Sequence, residues 1–285
     1  MREYDDQVFK NRDGLSLNYH DYNSAPDGAP VIVCIPGLTR NLRDFQGLAI
    51  HLKERARVLT LSLRGRGRSE YDPDPSRYSP PTYVGDVLDL LDHVGADSAH
   101  FVGTSLGGLV TMLTAYSYPD RLKSAILNDI GPTIEARGIE KIQGYVGKLS
   151  PVSTWDDAAR TTKALAGEVF PDFTHADWLA FARQIYVETD ETIQLDYDPN
   201  IAVPFKESPE KAAPDLWPVF DGLSGVPTLV VRGGTSDILS AETVTAMEKV
   251  HASLSSVTVP RVGHAPLLTE PECLAAILGF YDRIC

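Results

Sequence analysis

At residues 99–108 the chain reads AHFVGTSLGG, an apolar run that leads directly into a serine set between glycines. This pattern predicts a strand that turns sharply into a helix, with Ser105 at the turn. Glycines are needed there because a Cβ would collide with the neighbouring strand and helix. A short Gly-x-Ser-x-Gly match also arises by chance, as a simple glycine-rich turn. The other motifs of the chain therefore decide whether Ser105 is a nucleophile.

Three further motifs accompany the serine turn. A glycine turn with the sequence IPGL follows an earlier apolar run at residues 35–38. An aspartate, Asp237, closes the sequence GGTSD after a later one, and His264 lies in VGHAP near the end of the chain. The order serine, aspartate, histidine along the chain is one of the known orders of a catalytic triad. These motifs together favour the interpretation of Ser105 as a nucleophile over that of a simple glycine-rich turn.

Composition and charge restrict the class of protein. The 285 residues are 43% hydrophobic and 23% charged, with a formal net charge of −13. This acidic balance argues against nucleic acid or a membrane as a partner, because both are bound through basic surfaces. The three cysteines form no plausible disulfide framework, and neither a signal peptide nor a membrane span is apparent. We therefore expect a cytoplasmic enzyme; the sequence allows an oligomer but does not indicate one.

Strand and helix patterns alternate along most of the chain. A hairpin is predicted over residues 7–12 and 15–21, around Asp13-Gly14, because this dipeptide is a strong turn signal. Further strands are predicted at residues 31–35, 58–63, 99–103, 125–128, 228–232 and 256–259, with helical patterns between them. Such alternation predicts an α/β fold with a mostly parallel eight-stranded sheet and helices on both faces.

The alternation stops between residues 131 and 213. This stretch has helical patterns without a convincing buried strand, and Thr174 with Asp177 reads as a capping box before an apolar stripe. We therefore predict a core formed by residues 1–130 and 214–285, and an inserted helical cap formed by residues 131–213.

The chain resembles cap-bearing members of the α/β-hydrolase superfamily over essentially its full length. The resemblance implies Ser105 as nucleophile, His264 as general base and Asp237 as the acid that orients the histidine. A serine hydroxyl is a poor nucleophile at neutral pH and needs such a base, and the base needs a carboxylate to fix its tautomer. Some members place the acid after the strand that follows the nucleophile helix, which here is Asp129. Asp237 is in the more usual position and is the preferred prediction.

The resemblance also implies the oxyanion donors, the backbone N–H groups of Leu38 and Leu106. Many relatives have His-Gly in the first of these loops, where this chain has Pro36-Gly37. The backbone N–H donors are retained despite this difference, but the role that the histidine has in those relatives is lost. No metal and no cofactor is implied.

The substrate pocket is predicted from residues near these loops and in the insertion. We expect it to include Thr39, Arg40, Ile130, Trp155, Tyr186 and Leu239. Arg40 lies beside the oxyanion loop, where it either pairs with a substrate carboxylate or belongs to a solvated first turn of helix. Arg64, Arg66 and Arg68 form too short a cluster for a nucleic-acid site on so acidic a chain.

The predicted function is that of a serine hydrolase acting on a carboxylic ester of a small, apolar substrate through an acyl-enzyme. The serine excludes the dehalogenase and epoxide hydrolase branches, which use aspartate at that position. The same triad also serves hydrolysis of amides, lactones and C–C bonds next to a carbonyl. A ligand-binding receptor that retains the triad and a cofactor-free lyase or oxygenase remain open. Fold alone does not decide among them.

Overall fold

The computed structural model describes residues 3–190, 192–206 and 215–284. The strands of this part are β1 (Asp5–Lys10), β2 (Ser16–Tyr22), β3 (Val31–Ile35), β4 (Arg57–Leu61), β5 (Ala99–Thr104), β6 (Leu122–Asn128), β7 (Tyr186–Glu188), β8 (Ile193–Leu195), β9 (Thr228–Gly233) and β10 (Leu254–Val259). Eight of them form one sheet in the order β1-β2-β4-β3-β5-β6-β9-β10. β2 is antiparallel to both of its neighbours, and the other pairs are parallel.

Helices cover both faces of this sheet. The helices of the described residues are α1 (Gln46–Leu52), α2 (Pro80–His93), α3 (Leu106–Ser117), α4 (Ala136–Tyr145), α5 (Trp155–Ala166), α6 (His175–Ile185), α7 (Val203–Lys206), α8 (Trp217–Asp221), α9 (Ala241–Val250) and α10 (Pro271–Ile284). Buried residues of α2, α3, α8 and α9 pack on one face, and those of α1 and α10 on the other. The predicted α/β-hydrolase sheet is therefore confirmed.

β3 shows why its sequence is continuously apolar. Ile32 and Cys34 face the layer of α1 and α10, whereas Val33 and Ile35 face the opposite layer. Side chains alternate between the two faces of a strand, so a strand covered on both faces needs apolar residues at every position. Cys34 is fully buried and unpaired, as expected of a small hydrophobic residue; Cys285 lies outside the described residues.

The predicted insertion contains α4 to α7 and also the hairpin β7–β8, which the sequence analysis did not predict. Each strand of this hairpin has only three residues, too few to show an alternating pattern. The capping box of Thr174 and Asp177 is present at the start of α6. Behind it, Phe170, Phe173 and Trp178 pack ring against ring. The insertion therefore has a small apolar core of its own, and its division from the rest as a cap domain remains a prediction.

Among the residues described, no helix is long and apolar enough to cross a membrane.

Candidate active site

Ser105 stands at the sharp turn between β5 and α3. Its backbone φ is 51°, in the left-handed region that costs an L-residue energy. The turn packs so closely that a Cβ on Gly103 would lie 2.3 Å from the carbonyl oxygen of Gly107. A Cβ on Gly107 would lie 2.0 Å from the carbonyl oxygen of Ile35. Glycine is therefore required on both sides of the serine, for the steric reason given by the sequence pattern.

The imidazole of His264 lies between a hydroxyl and a carboxylate. Its Nε2 is 2.9 Å from Ser105 Oγ, and its Nδ1 is 2.8 Å from Asp129 Oδ2. A carboxylate only accepts hydrogen bonds, so Nδ1–H donates to Asp129. Nε2 is then left without a proton and accepts the hydrogen bond of the Ser105 hydroxyl. This is the arrangement in which a histidine can remove a proton from a serine.

The preference for Asp237 as the histidine's partner is wrong, because Asp129 occupies that position. Asp129 directly follows β6, is fully buried and has a φ of 57°. Its Oδ1 accepts the Gly233 N–H at 2.7 Å, and its Oδ2 accepts the Ser236 hydroxyl at 2.6 Å as well as His264. Three donors hold this carboxylate in place and satisfy the hydrogen bonds that a buried polar group requires.

Asp237 pairs with a residue of the insertion, and its side chain is not the hydrogen-bond partner of the histidine. Its Oδ2 lies 3.3 Å from the ammonium group of Lys141, on α4. The end of β9 and the loop after it still contribute to the site, but through the N–H of Gly233 and the hydroxyl of Ser236 rather than through a carboxylate. Since Asp129 and the loop after β9 both lie at the carboxyl edge of the sheet, either acid was possible from the order of the strands.

Asn128, which the sequence analysis did not single out, joins the parts of the site. Its side-chain amide donates to Thr104 Oγ1 at 3.0 Å and to the Pro266 carbonyl at 2.8 Å. Its own carbonyl accepts the N–H of Ser105 at 2.9 Å. Asn128 thereby fixes the serine turn and the histidine loop relative to each other. The only signal in the sequence was an asparagine at the end of an apolar run; its full burial is seen in the structure.

The side chain of Arg66 is hydrogen-bonded to the predicted oxyanion loop. Arg66 is completely buried, and its Nε donates to the Leu38 carbonyl at 2.9 Å. Its Nη1 donates to the Arg64 carbonyl and to the hydroxyl of Tyr83. Leu106 is the first residue of α3, where a backbone N–H has no partner within the helix. In the sequence Arg66 stands out only as part of a short arginine cluster; in the structure it is an internal support of this loop.

A cavity of about 200 Å³, lined mostly by apolar side chains, opens onto Ser105 and His264. Of the predicted pocket residues, Thr39, Arg40 and Tyr186 line it, together with Leu38. Ile130, Trp155 and Leu239 are not among its lining residues, so their prediction is wrong. Ile130 is buried against Gly108, and Leu239 is buried in the main core. Trp155 donates to Glu188 and stacks with Arg183 within the insertion.

The cavity wall also holds polar groups, of which Tyr145, Asp44 and Lys141 were not predicted from the sequence. Tyr145 of α4 lines it, and burial raises the pKa of this phenol to about 12, so it stays protonated as a donor. Two ion pairs, Arg40 with Asp44 and Lys141 with Asp237, stand in the same wall. Among the described residues, no group of three or more histidine, cysteine or acidic side chains is placed to hold a metal ion.

A second, more polar cavity of about 330 Å³ borders the other side of His264. It lies between the insertion and the loop after β9, and it shares Lys141, Val169 and Asp237 with the first cavity. The histidine therefore lies between an apolar and a polar compartment.

Comparison with known proteins identifies the family of this fold. Residues 30–271 match the family model of the alpha/beta hydrolase fold. The chain is 35% identical over 273 residues to a 3-hydroxybutyrate-oligomer hydrolase of Cupriavidus necator, covering 93% of this chain and 92% of that protein. It is 26% identical to a 2-(acetamidomethylene)succinate hydrolase of Mesorhizobium japonicum, covering 94% and 92%. The crystal structure of an alpha/beta hydrolase from Novosphingobium aromaticivorans superposes with a TM-score of 0.93 at 45% identity, over the full length of both chains. The two curated relatives named here are hydrolases, and the chain belongs to the alpha/beta hydrolase family.

Proposed function

We propose that the protein is a serine hydrolase that cleaves a carboxylic ester through a covalent acyl-enzyme. The observation that carries this proposal is the His264 ring, hydrogen-bonded to Ser105 Oγ on one side and to Asp129 on the other, at the end of an apolar cavity. In this proposal Asp129, not Asp237, is the acid of the triad.

In the first half-reaction, Ser105 Oγ attacks the ester carbonyl carbon while its proton passes to His264 Nε2. The carbonyl oxygen becomes an oxyanion, and the N–H groups of Leu38 and Leu106 are assigned as its donors. The C–O bond to the alcohol then breaks as His264 returns the proton to the leaving oxygen. Asp129 stabilises the imidazolium that exists between these two proton transfers.

In the second half-reaction, water repeats the attack on the acyl-enzyme. His264 takes a proton from the water, and Ser105 leaves with a proton returned by His264, which releases the carboxylic acid. The polar cavity beside His264 is a suitable route for this water and for the departing alcohol, because its wall includes Glu135, Arg137 and Lys141. The acyl group occupies the apolar cavity, and the insertion acts as a cap that shields it from bulk water.

Short oligoesters of hydroxy acids are the substrates we propose first. The relative at 35% identity is named for 3-hydroxybutyrate oligomers, and it matches this chain over nearly the whole length of both proteins. A cavity of about 200 Å³ has room for a short acyl group rather than a long fatty chain.

The test is to incubate the protein with the dimer and trimer of 3-hydroxybutyrate and to quantify the released monomer by chromatography. We expect steady multiple turnover by the wild type and none by Ser105→Ala. Amide and lactone analogues of the same acyl group are assayed in parallel, and faster turnover of either would replace the ester as the substrate class. Stoichiometric binding of the oligoester without turnover would identify a receptor instead.

A further inference from the structure

We propose that Arg40 binds a second, uncharged oxygen of the substrate's acyl group, so that the enzyme selects acyl groups carrying another carbonyl. This inference rests on the proposed ester hydrolysis at Ser105, and it assigns a recognition role to a residue whose purpose the triad does not explain.

Arg40 lies in the cavity wall close to the nucleophile. Its backbone N–H donates to the Gly37 carbonyl at 3.2 Å, which closes the turn of the oxyanion loop. A Cβ placed on Gly37 would lie 3.5 Å from Arg40 Cγ and 3.7 Å from Ser105 Cβ. Both side chains therefore start from the same stretch of wall, and Arg40 lines the cavity that opens onto Ser105.

The guanidinium of Arg40 is held by Asp44 and Phe181, and its Nη1 group remains available as a donor. Its Nε and Nη2 donate to the two carboxylate oxygens of Asp44 at 2.7 and 2.6 Å. Its Cζ stacks over the ring of Phe181, 4.4 Å from the centroid, and Phe181 also lines the cavity. Nη1 makes no hydrogen bond to any residue that the structure describes. A fixed donor of this kind costs little side-chain entropy when a ligand oxygen binds to it.

The charge of the wall argues for a neutral oxygen rather than a carboxylate. The cavity is lined by Arg40 and Lys141, but each of these cations already has an acid beside it, Asp44 and Asp237 respectively. A substrate carboxylate would lose its hydration next to two acids without any surplus of positive charge. A carbonyl oxygen needs only one donor and brings no charge, so Nη1 of the Arg40–Asp44 pair is suited to it.

Three p-nitrophenyl esters distinguish these ligands: 3-acetoxybutanoate, with a second carbonyl; 3-ethoxybutanoate, with CH₂ in its place; and the monoester of adipic acid, with a carboxylate. We expect the wild-type kcat/KM on the first ester to exceed that on the second about tenfold, which is the typical contribution of one hydrogen bond. The adipate ester is expected to be the poorest substrate.

The variants separate the donor from its acid. Arg40→Met combined with Asp44→Asn removes the donor without leaving an unpaired acid. It should lower kcat/KM on the acetoxy ester to the value measured with the ethoxy ester. Asp44→Asn alone keeps Nη1 and makes the wall positive. It should retain the acetoxy preference and raise kcat/KM on the adipate ester about tenfold.

The inference is overturned if the wild type hydrolyses the acetoxy and ethoxy esters equally well, if the adipate ester is its best substrate, or if the double variant slows the acetoxy and ethoxy esters alike. In those cases the proposed function stands, because the esters are still cleaved. If no ester is turned over, or if Ser105→Ala retains turnover, the proposed function fails and the inference fails with it.

Discussion

Replacing Asp129 by asparagine should nearly abolish turnover while preserving the shape of the site. The asparagine oxygen can still accept the Gly233 N–H, which now lies 2.7 Å from Asp129 Oδ1. Its amide nitrogen then takes the position of Oδ2, 2.8 Å from His264 Nδ1. An amide nitrogen only donates, so it stabilises the imidazole tautomer whose proton is on Nε2. That tautomer cannot accept the proton of the Ser105 hydroxyl.

The size of the effect follows from this change of tautomer. The corresponding substitution in a serine protease lowers kcat about 10⁴-fold, which is about 5 kcal/mol of transition-state stabilisation. We expect a loss of about 10³- to 10⁴-fold here, with KM changed much less, because Asp129 does not line the cavity that would hold the substrate.

Asp237→Asn is the matched control, with the same chemical change on the neighbouring loop. It breaks the ion pair with Lys141, whose side chain is 37% exposed, and such a pair contributes at most about 1 kcal/mol. We expect its kcat to remain within about threefold of the wild type. Both variants are compared by stopped-flow acylation with a p-nitrophenyl ester, after thermal unfolding has shown that they are folded. A larger loss of acylation rate in Asp237→Asn than in Asp129→Asn would refute this assignment.

Three other substitutions test separate parts of the account. Arg66→Met removes the donor to the Leu38 carbonyl. We expect kcat to fall about tenfold or more, with partial recovery in Arg66→Lys. An unchanged kcat in steady-state kinetics would show that this hydrogen bond is dispensable. Gly103→Ala places a Cβ 2.3 Å from a backbone oxygen and should lower the free energy of unfolding by about 2–4 kcal/mol in urea titrations, unlike a well-tolerated surface change. Burial lowers the pKa of His100 from 6.5 to about 4. The contribution of neutral His100 to the free energy of unfolding is therefore complete above pH 6.5 and is lost as the pH falls toward 4. In His100→Asn the urea midpoint should fall less steeply over this pH interval, and an equally steep fall would contradict the prediction.

Much of the fold was predictable because its signals are local. The continuous apolar run of β3 requires a strand covered on both faces, and Asp13-Gly14 marks the first hairpin. The serine turn could be located because its glycines are sterically required. The hairpin β7–β8 could not, since three residues per strand carry no periodicity.

The acid of the site could not be predicted with the same certainty. Asp129 and Asp237 both follow strands at the same edge of the sheet, and the side chain that turns inward is decided by tertiary hydrogen bonds. Here Ser236 and Gly233 donate to Asp129, whereas Asp237 pairs with Lys141. These contacts join segments about a hundred residues apart, which no local pattern records.

Pocket residues were the least predictable part. Trp155 lies in the insertion as expected, but it stacks with Arg183 and does not line the cavity. Arg66 has the appearance of a surface charge in the sequence, yet it is completely buried and donates to the carbonyl of Leu38, in the predicted oxyanion loop. Which side of a helix or loop faces the cavity depends on how the insertion packs on the core.

If Ser105 carries the acyl group during turnover, as proposed, the acyl-enzyme can be trapped on that residue. The protein is mixed with excess p-nitrophenyl acetate, quenched in acid within the burst phase, digested and analysed by mass spectrometry. We predict one acetyl group on the peptide containing Ser105, absent when the burst is repeated with Ser105→Ala. Full turnover with no acetylated peptide, or with the acetyl group on a different side chain, would contradict the account.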